Sequence, residues 1–518
     1  MNIIELFEAR VAERPGQPAI VDVVDARYRI HSFQQLAEDS ARVAGLFQDS
    51  GIGAGDRVLV LQPMSYELYV VLLALFRLGA VAMFLDPSAG RVHIDQCCEI
   101  GQPKALVGGR RVQLLRLFSR GLRRIGRRFV IGARLPGTVP LERARHSLPL
   151  DVMATGGQAP ALLTFTSGST GRPKAAVRSH AFLVSQHAAL AAALDLRAGE
   201  RDLTTLPIFL LANLASGLTS VIPHADLRAP AKVAPRPVLE QIRALGVSRS
   251  AGSPAFYQRL VEYCERHGER LPLARIDTGG APVFPPLLNR LQARAPEARI
   301  VAVYGSTEAE PMAHVMYAEM RQVDRVAMSE GRGLLTGLPV DEVSLRVIPD
   351  RFGSPIGPYD DRRFTGEWLA PGQIGEIVVT GGHVLPGYVD GEGDAQTKFE
   401  VNGRRWHRTG DAGYLDAEGR LWLVGRCNAR IEDARGVVYP FSVECAAQFF
   451  AGVRRSAMVS HAGRRLLLVE APRGFDVEGL RHALAWARLD EVRRVKAIPV
   501  DRRHNAKIDY TRLAKLLK

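Results

Sequence analysis

Two rhythms of apolar residues divide the chain. From residue 17 to about 345, short runs rich in Val, Ile, Leu and Ala (DRVLVLQ, GAVAMFLD, RIVAVYG) alternate with longer stretches of helical period (SYELYVVLLALFRLG, RPVLEQIRALG). That alternation predicts parallel strands joined by crossover helices, an α/β architecture. From about 346 to 425 the spacing tightens into strands and turns, GEIVVTGGHV and GYLDAEGRLWLVGR, which predicts an antiparallel, barrel-like β subdomain. After VGRCN a compact α+β unit is expected, mixing the strand-like LLLVEAP with the helical VEGLRHALAWAR. The boundary falls at Gly425 to Asn428.

One apolar run, LYVVLLALFRLGAVAMFLDP from Leu68, could be mistaken for a membrane span. Arg77 and Gly79 interrupt it and Asp86-Pro87 closes it. An arginine at a bilayer centre costs roughly 2.5–3.5 kcal/mol on insertion scales, so a buried helix followed by a buried strand is the better reading. The N-terminal MNIIELFEARVAERPGQP has no basic start, long apolar middle or small-residue cleavage site, and no signal peptide is expected.

Composition adds little until charge is located. The 518 residues are 47% hydrophobic and 24% charged, as in folded multi-domain proteins. Cys97, Cys98, Cys264, Cys427 and Cys445 form neither a CxxC pair nor a regular framework, which argues against disulfides or zinc and for a cytoplasmic setting. The net charge of +14 rests on arginine, since only eight of the 68 basic residues are lysine. It concentrates in RRVQLLRLFSRGLRRIGRRF from Arg110, eight arginines with no acid and apolar residues at near-helical intervals. Arg110–Arg128 reads as a basic surface helix, either solvated or in peripheral contact with an anionic membrane. Nucleic acid is not an expected partner, because the stretch is isolated from any recognisable reading module.

The chemistry-bearing stretch is TFTSGSTGRPK, residues 164 to 174, which follows an apolar run. A Walker A loop places lysine directly after its last glycine and a hydroxyl after the lysine. Here Gly171 is followed by Arg172-Pro173-Lys174 and then Ala175, so that reading fails. What survives is a phosphate clamp: Gly168 and Gly171 let backbone N–H groups approach an oxyanion, and Thr166, Ser167, Ser169 and Thr170 add hydroxyl donors.

With its continuation, TFTSGSTGRPKAAV resembles the phosphate-loop signature of the adenylate-forming superfamily. That superfamily includes acyl-CoA synthetases, luciferases and peptide-synthetase adenylation domains. DTGGAPV (277–283), VYGSTEAEP (303–311), HRTGDAGYLDAEGRLWLVGR (407–426) and RRHNAKIDY (502–510) follow in the order the family requires. GAGDRVLVL and LGAVAMFLDP extend the likeness over the N-terminal third. The resemblance implies an AMP-forming acid ligase using ATP and Mg²⁺. It implies a large adenylation domain (1–425), a hinge (426–428, with Asn428) and a small mobile lid (429–518).

It also implies roles. Lys507 would bridge the carboxylate and the α-phosphate, where charge develops in the transition state. Glu308 would hold Mg²⁺, with Thr166 as a second contact. Thr307 would bond the α-phosphate, and Lys174 belongs to the phosphate loop. Tyr304, followed by Gly305 and Ser306, would stack on adenine, and Gly280-Ala281-Pro282 would pass the base edge. Asp411 would accept from both ribose hydroxyls, with Arg426 beside it.

Departures from common acyl-CoA synthetases narrow the expectation. Asn428 stands where many relatives carry Asp or Lys, Glu432 lies near the place of a lysine, and Gly436 comes one residue late. These changes disfavour coenzyme A. Leu210 lies near the place of a histidine, and with Phe209 it favours an apolar acyl pocket. Together with LASGLTSVIP, GSPAFYQRL and DRRHNAKI, they resemble the β-lactone synthetases of bacterial olefin biosynthesis, which adenylate a β-hydroxy fatty acid and let its hydroxyl displace AMP. The alternatives are an acyl-CoA or acyl-carrier ligase, or a non-catalytic nucleotide-binding membrane adaptor. Other enzymes of a lipid pathway are further candidate partners.

Overall fold

The computed structural model describes the chain apart from residues 86–89, 168–171, 501–507 and 517–518. It forms two compact units, one of Met1–Arg228, Val233–Ala251 and Gly387–Gly393, the other of Ala229–Lys232, Gly252–Pro386 and Asp394–Lys518.

The first unit holds the predicted α/β pattern. Its seven-stranded sheet runs Val139–Pro140, Arg127–Ile131, Ala105–Gly109, Arg57–Leu61, Val81–Phe84, Pro160–Ser167, Pro173–Ser179. All neighbours are parallel except the last pair. A further set pairs Arg27–Ser32 antiparallel to Pro18–Val24, then Thr219–Val221, Arg201–Thr204 and Arg249–Gly252 in parallel. Two of its longer helices start where a hydroxyl side chain satisfies an orphan N–H: Ser65 accepts from Leu68, Ser179 from Phe182.

The apolar run from Leu68 is the expected helix and strand. Helix Tyr66–Arg77 is buried almost throughout, Gly79 turns the chain, and Val81–Phe84 enters the sheet. Arg77 is buried and ion-paired with Glu8. No helix among the described residues is long and apolar enough to cross a membrane. All five cysteines are free and buried.

Arg110–Arg128 departs from the expected single helix. It forms helix Arg110–Leu115, helix Arg120–Arg124 and the start of strand Arg127–Ile131. The chain must return to pair in parallel with Ala105–Gly109, and a continuous helix would carry it away from the sheet. Ser119 caps the second helix through Leu122 N–H, and Gly126 lies between that helix and the strand.

In the second unit, Arg275–Gly279 and Arg299–Ser306 are parallel. From there pairing is antiparallel through Ala309–Met316, Leu334–Pro339, Leu421–Arg426, Arg404–Leu415, Gly375–Gly381 and Val343–Ile348. The antiparallel style expected from about residue 346 thus begins earlier, at Ala309–Met316, because the strand Arg299–Ser306 turns straight back on itself through Thr307 and Glu308. The C-terminal region packs helices Pro440–Ala447 and Val477–Ala483 on the strands Arg455–His461, Arg464–Glu470 and Glu491–Val495, around Val443, Met458, Leu467 and Leu480.

Within that core lies one carboxyl. Glu444 accepts from the Tyr510 hydroxyl at 2.7 Å and from Met458 N–H at 2.9 Å, yet burial pushes its pKa up to about 7. An unfolded glutamate titrates near ~4.3, so the folded chain binds the extra proton between the two values, and stability falls as pH rises through that window. Glu444→Gln should therefore gain on the parent by roughly 2–3 kcal/mol between about pH 5 and about pH 8. Urea unfolding at the two pH values checks this, and an equal difference at both would refute it.

Candidate active site

The phosphate-loop residues stand on a strand pair. Thr166 and Ser167 close the strand Pro160–Ser167, which pairs antiparallel with Pro173–Ser179, Thr166 opposite Lys174. Gly168, Ser169, Thr170 and Gly171 lie outside the described residues, as do the side chains of Thr166 and Ser167 and the whole of Lys507. Lys174 places its ammonium 5.4 Å from the centre of the Tyr388 ring, within cation–π range. Tyr388 bridges to Ala176 on the same strand. Gly393 has a φ of +94°, which favours glycine, and a Cβ there would come within 2.3 Å of Lys174 Nζ, so the lysine side chain would have to shift. Tyr388 and Gly393 were not picked out from sequence; their separation from Lys174 along the chain gave no signal.

In the second unit, the strand Arg299–Ser306 ends at Tyr304, Gly305 and Ser306, and Thr307 and Glu308 form the turn into Ala309–Met316. Both sides of the turn are held: Glu308 N–H donates to Ser306 Oγ at 3.2 Å, and Glu308 O accepts from Leu385 N–H at 2.7 Å. The Glu308 side chain is half-buried. Beside this strand, Arg275–Gly279 runs into Gly280, whose φ of +78° favours glycine, and then into half-buried Ala281 and Pro282.

The strongest grouping surrounds Asp411. Antiparallel register sets Asp411 opposite Arg426. Arg426 Nη1 donates to Asp411 Oδ1 at 2.7 Å and to the Thr409 carbonyl at 3.3 Å. Tyr304 donates its hydroxyl to Asp411 Oδ2 at 2.7 Å. Burial, with the nearby Asp411 charge, pushes the Tyr304 phenol well above its usual range, so it is a fixed donor. The Asp411 carboxylate in turn raises Arg426. A carboxylate has about four lone-pair sites, so acceptor capacity remains for a vicinal diol.

Arg408, two residues before Gly410 at the bulge in the strand Arg404–Leu415, was missed in the sequence. It is fully buried and paired bidentately with buried Glu376, Nε to Oε1 at 3.0 Å and Nη2 to Oε2 at 2.6 Å, and it also donates to the Ser354 carbonyl. Burial raises Glu376. The only sequence signal was its place beside Thr409-Gly410-Asp411.

Phe209 and Leu210 are buried on helix Pro207–Ser216. The cavity beside that helix is lined by Ile208, Leu211, Ala212 and Ala215, not by those two, and at about 30 Å³ it holds no acyl chain. Asn428 is exposed in the short turn Cys427–Ala429. Glu432 is exposed on the hairpin Ile431–Asp433/Gly436–Val438, 3.4 Å from Arg430. Among the described residues no three His, Cys, Asp or Glu side chains form a metal cage. A lone carboxylate on a braced turn suits Mg²⁺, which takes one or two protein carboxylates plus substrate phosphates.

Residues 7–389 match the family model described as AMP-binding enzyme. The chain is 37% identical to an olefin beta-lactone synthetase of Stenotrophomonas maltophilia, covering 93% of this chain and 90% of the relative. It is 34% identical to an olefin beta-lactone synthetase of Xanthomonas campestris pv. campestris, covering 99% and 97%. Its fold is similar to an amide bond synthetase from Marinactinospora thermotolerans, with a TM-score of 0.82 at 22% identity over 100% of both chains. The chain belongs to the AMP-binding enzyme family, and it is an adenylate-forming acid ligase whose substrates are ATP and a small-molecule acid.

Removing one partner of a buried ion pair leaves an uncompensated charge and costs about 3–5 kcal/mol, whereas replacing both by apolar groups is often neutral. Arg408→Met should lose stability by that amount in urea unfolding. The double variant R408M/E376M should recover most of it. A single variant as stable as the parent would remove Arg408 as the anchor of the bulge that carries Asp411.

Proposed function

We propose that this ligase adenylates a medium-to-long-chain β-hydroxy fatty acid and closes it to a β-lactone. The substrate carboxylate attacks the α-phosphorus of ATP, forming the acyl adenylate and releasing pyrophosphate. The β-hydroxyl oxygen then attacks the acyl carbonyl, its proton is lost, and AMP leaves with the electrons of the C–O bond. The product is lighter than the acid by one water. The observation carrying this reading is the similarity, over nearly the whole chain, to two relatives named olefin beta-lactone synthetase. A tethered nucleophile also needs no thiol cofactor, because it is already held near the carbonyl.

In this reading Asp411 accepts from the ribose hydroxyls, held in place by Tyr304 and Arg426. The Tyr304 ring faces adenine, with Gly280-Ala281-Pro282 along the base edge. The phosphates are bound by Thr166 to Gly171, Lys174 and the Gly305-Ser306-Thr307 turn. Glu308, with Thr166, would hold Mg²⁺, which supplies charge neutralisation at the phosphates. Lys507 stabilises the transition state of adenylation. Phe209 and Leu210 back the acyl pocket. Residues 1–425 form the adenylation domain, 426–428 the hinge and 429–518 a mobile lid. A thioester-forming ligase is the second reading, and Glu432 speaks against it: an exposed carboxylate on the hairpin after the hinge repels the phosphates of coenzyme A.

Supplied with ATP, Mg²⁺ and a β-hydroxy fatty acid but no coenzyme A, the enzyme should release AMP over many turnovers and yield the dehydrated product by mass spectrometry. Turnover that stalls after one adenylate and resumes only with coenzyme A, giving an acyl-CoA, would reject the lactone step and leave adenylation standing. Lys507→Ala should abolish acid-dependent pyrophosphate release while ATP still binds, a loss of about 2.7–4 kcal/mol or more in transition-state stabilisation, as for an oxyanion donor. Near-parental adenylation in that variant would sink the assignment, and release of orthophosphate by the parent enzyme would overturn the adenylation reading.

A further inference from the structure

The crossover between strands Ala105–Gly109 and Arg127–Ile131 carries an outward apolar tip on a rigid base. Its two short helices are pinned from within. Buried Gln113 donates its side-chain N–H to the Phe129 carbonyl at 2.9 Å. Fully buried Ser119 donates to Asp95 at 2.5 Å, and Asp95 also accepts from Gly121 N–H at 2.8 Å. Leu122 and Ile125 face inward, in one core with Ile94, Cys98 and Leu106. Between these anchors the turn presents Leu117 and Phe118, 64% and 65% exposed, with Leu114 at 46%.

Large side chains this exposed, held by a backbone with no freedom to bury them, lose hydrophobic stabilisation unless a partner covers them. The charge around them says which. Arg110, Arg111, Arg120, Arg123, Arg124 and Arg127 are all exposed on the same crossover, and no acidic residue occurs in sequence between Glu99 and Glu142. Asp95, the acid packed against the crossover, is engaged by Ser119 and Gly121.

We propose that this crossover is a docking surface for an anionic lipid bilayer, with Leu117 and Phe118 entering the acyl boundary and the arginines lying at the headgroup phosphates. Apolar tips flanked along the chain by exposed arginines match an interface that is apolar below and anionic above. A nucleic acid would satisfy the arginines but leave the aliphatic Leu114 and Leu117 in water. The inference is independent of the lactone step, since it concerns where the enzyme sits and not what displaces AMP.

Sedimentation of the full chain with phosphatidylcholine vesicles, with and without phosphatidylglycerol, tests it. Binding is expected only with the anionic lipid and should weaken as salt is raised. Replacing Arg120, Arg123, Arg124 and Arg127 by glutamine should weaken it by about fivefold per arginine. L117S/F118S, which leaves every charge in place, should weaken it by roughly tenfold or more. Both variants should keep parental pyrophosphate release on a soluble short-chain acid, which shows that they fold. No sedimentation of the parent, or parental binding by L117S/F118S, overturns the proposal; so does binding to a soluble polyanion such as heparin with none to vesicles.

Discussion

One carboxylate ties together side chains from three strands of the second unit. Asp411 on the strand Arg404–Leu415 accepts from Arg426 on the next strand and from Tyr304 at the end of Arg299–Ser306. The first contact follows from antiparallel register, and the second requires Tyr304 to arrive at that height from another part of the sheet. Asp411 can serve neither unless the strand bulge that carries it is immobile. That immobility comes from beneath, where Arg408 is locked to Glu376 in a fully buried bidentate pair. The group that would meet a ligand is half-exposed, and the group that fixes its position is out of water.

The arginine-rich composition serves two purposes that net charge conflates. In the interior, Arg77, Arg249 and Arg408 each meet a carboxylate or backbone carbonyls. A planar guanidinium with several fixed donors can be satisfied there where an ammonium would be harder to accommodate. On the surface, most pairs such as Arg197–Asp195 and Arg228–Asp226 are exposed and contribute little to stability. The crossover after Ala105–Gly109 is different, because its exposed arginines lie on a segment without acids and flank the exposed Leu117 and Phe118 along the chain. The proposed bilayer contact rests on that combination.

Legible in the amino-acid order were the α/β alternation, a passage from parallel to antiparallel strands though not its start at Ala309, the burial of the run from Leu68, and the membership of an acid-activating family. Each is a local property: apolar period, turn residues, and motifs whose glycines and hydroxyls sit within a few positions of one another. The amino-acid order also set Arg426 beside Asp411 and singled out Tyr304 apart from them. The tertiary structure adds that Tyr304 joins Arg426 on the Asp411 carboxylate, that Arg408 and Glu376 brace it, and that Lys174 rests on Tyr388 beside Gly393. It also broke Arg110–Arg128 into two helices and a strand, because a parallel partner had to be met. Ion pairing and ring contact depend on distances through space between residues far apart in the chain, and no local pattern encodes those.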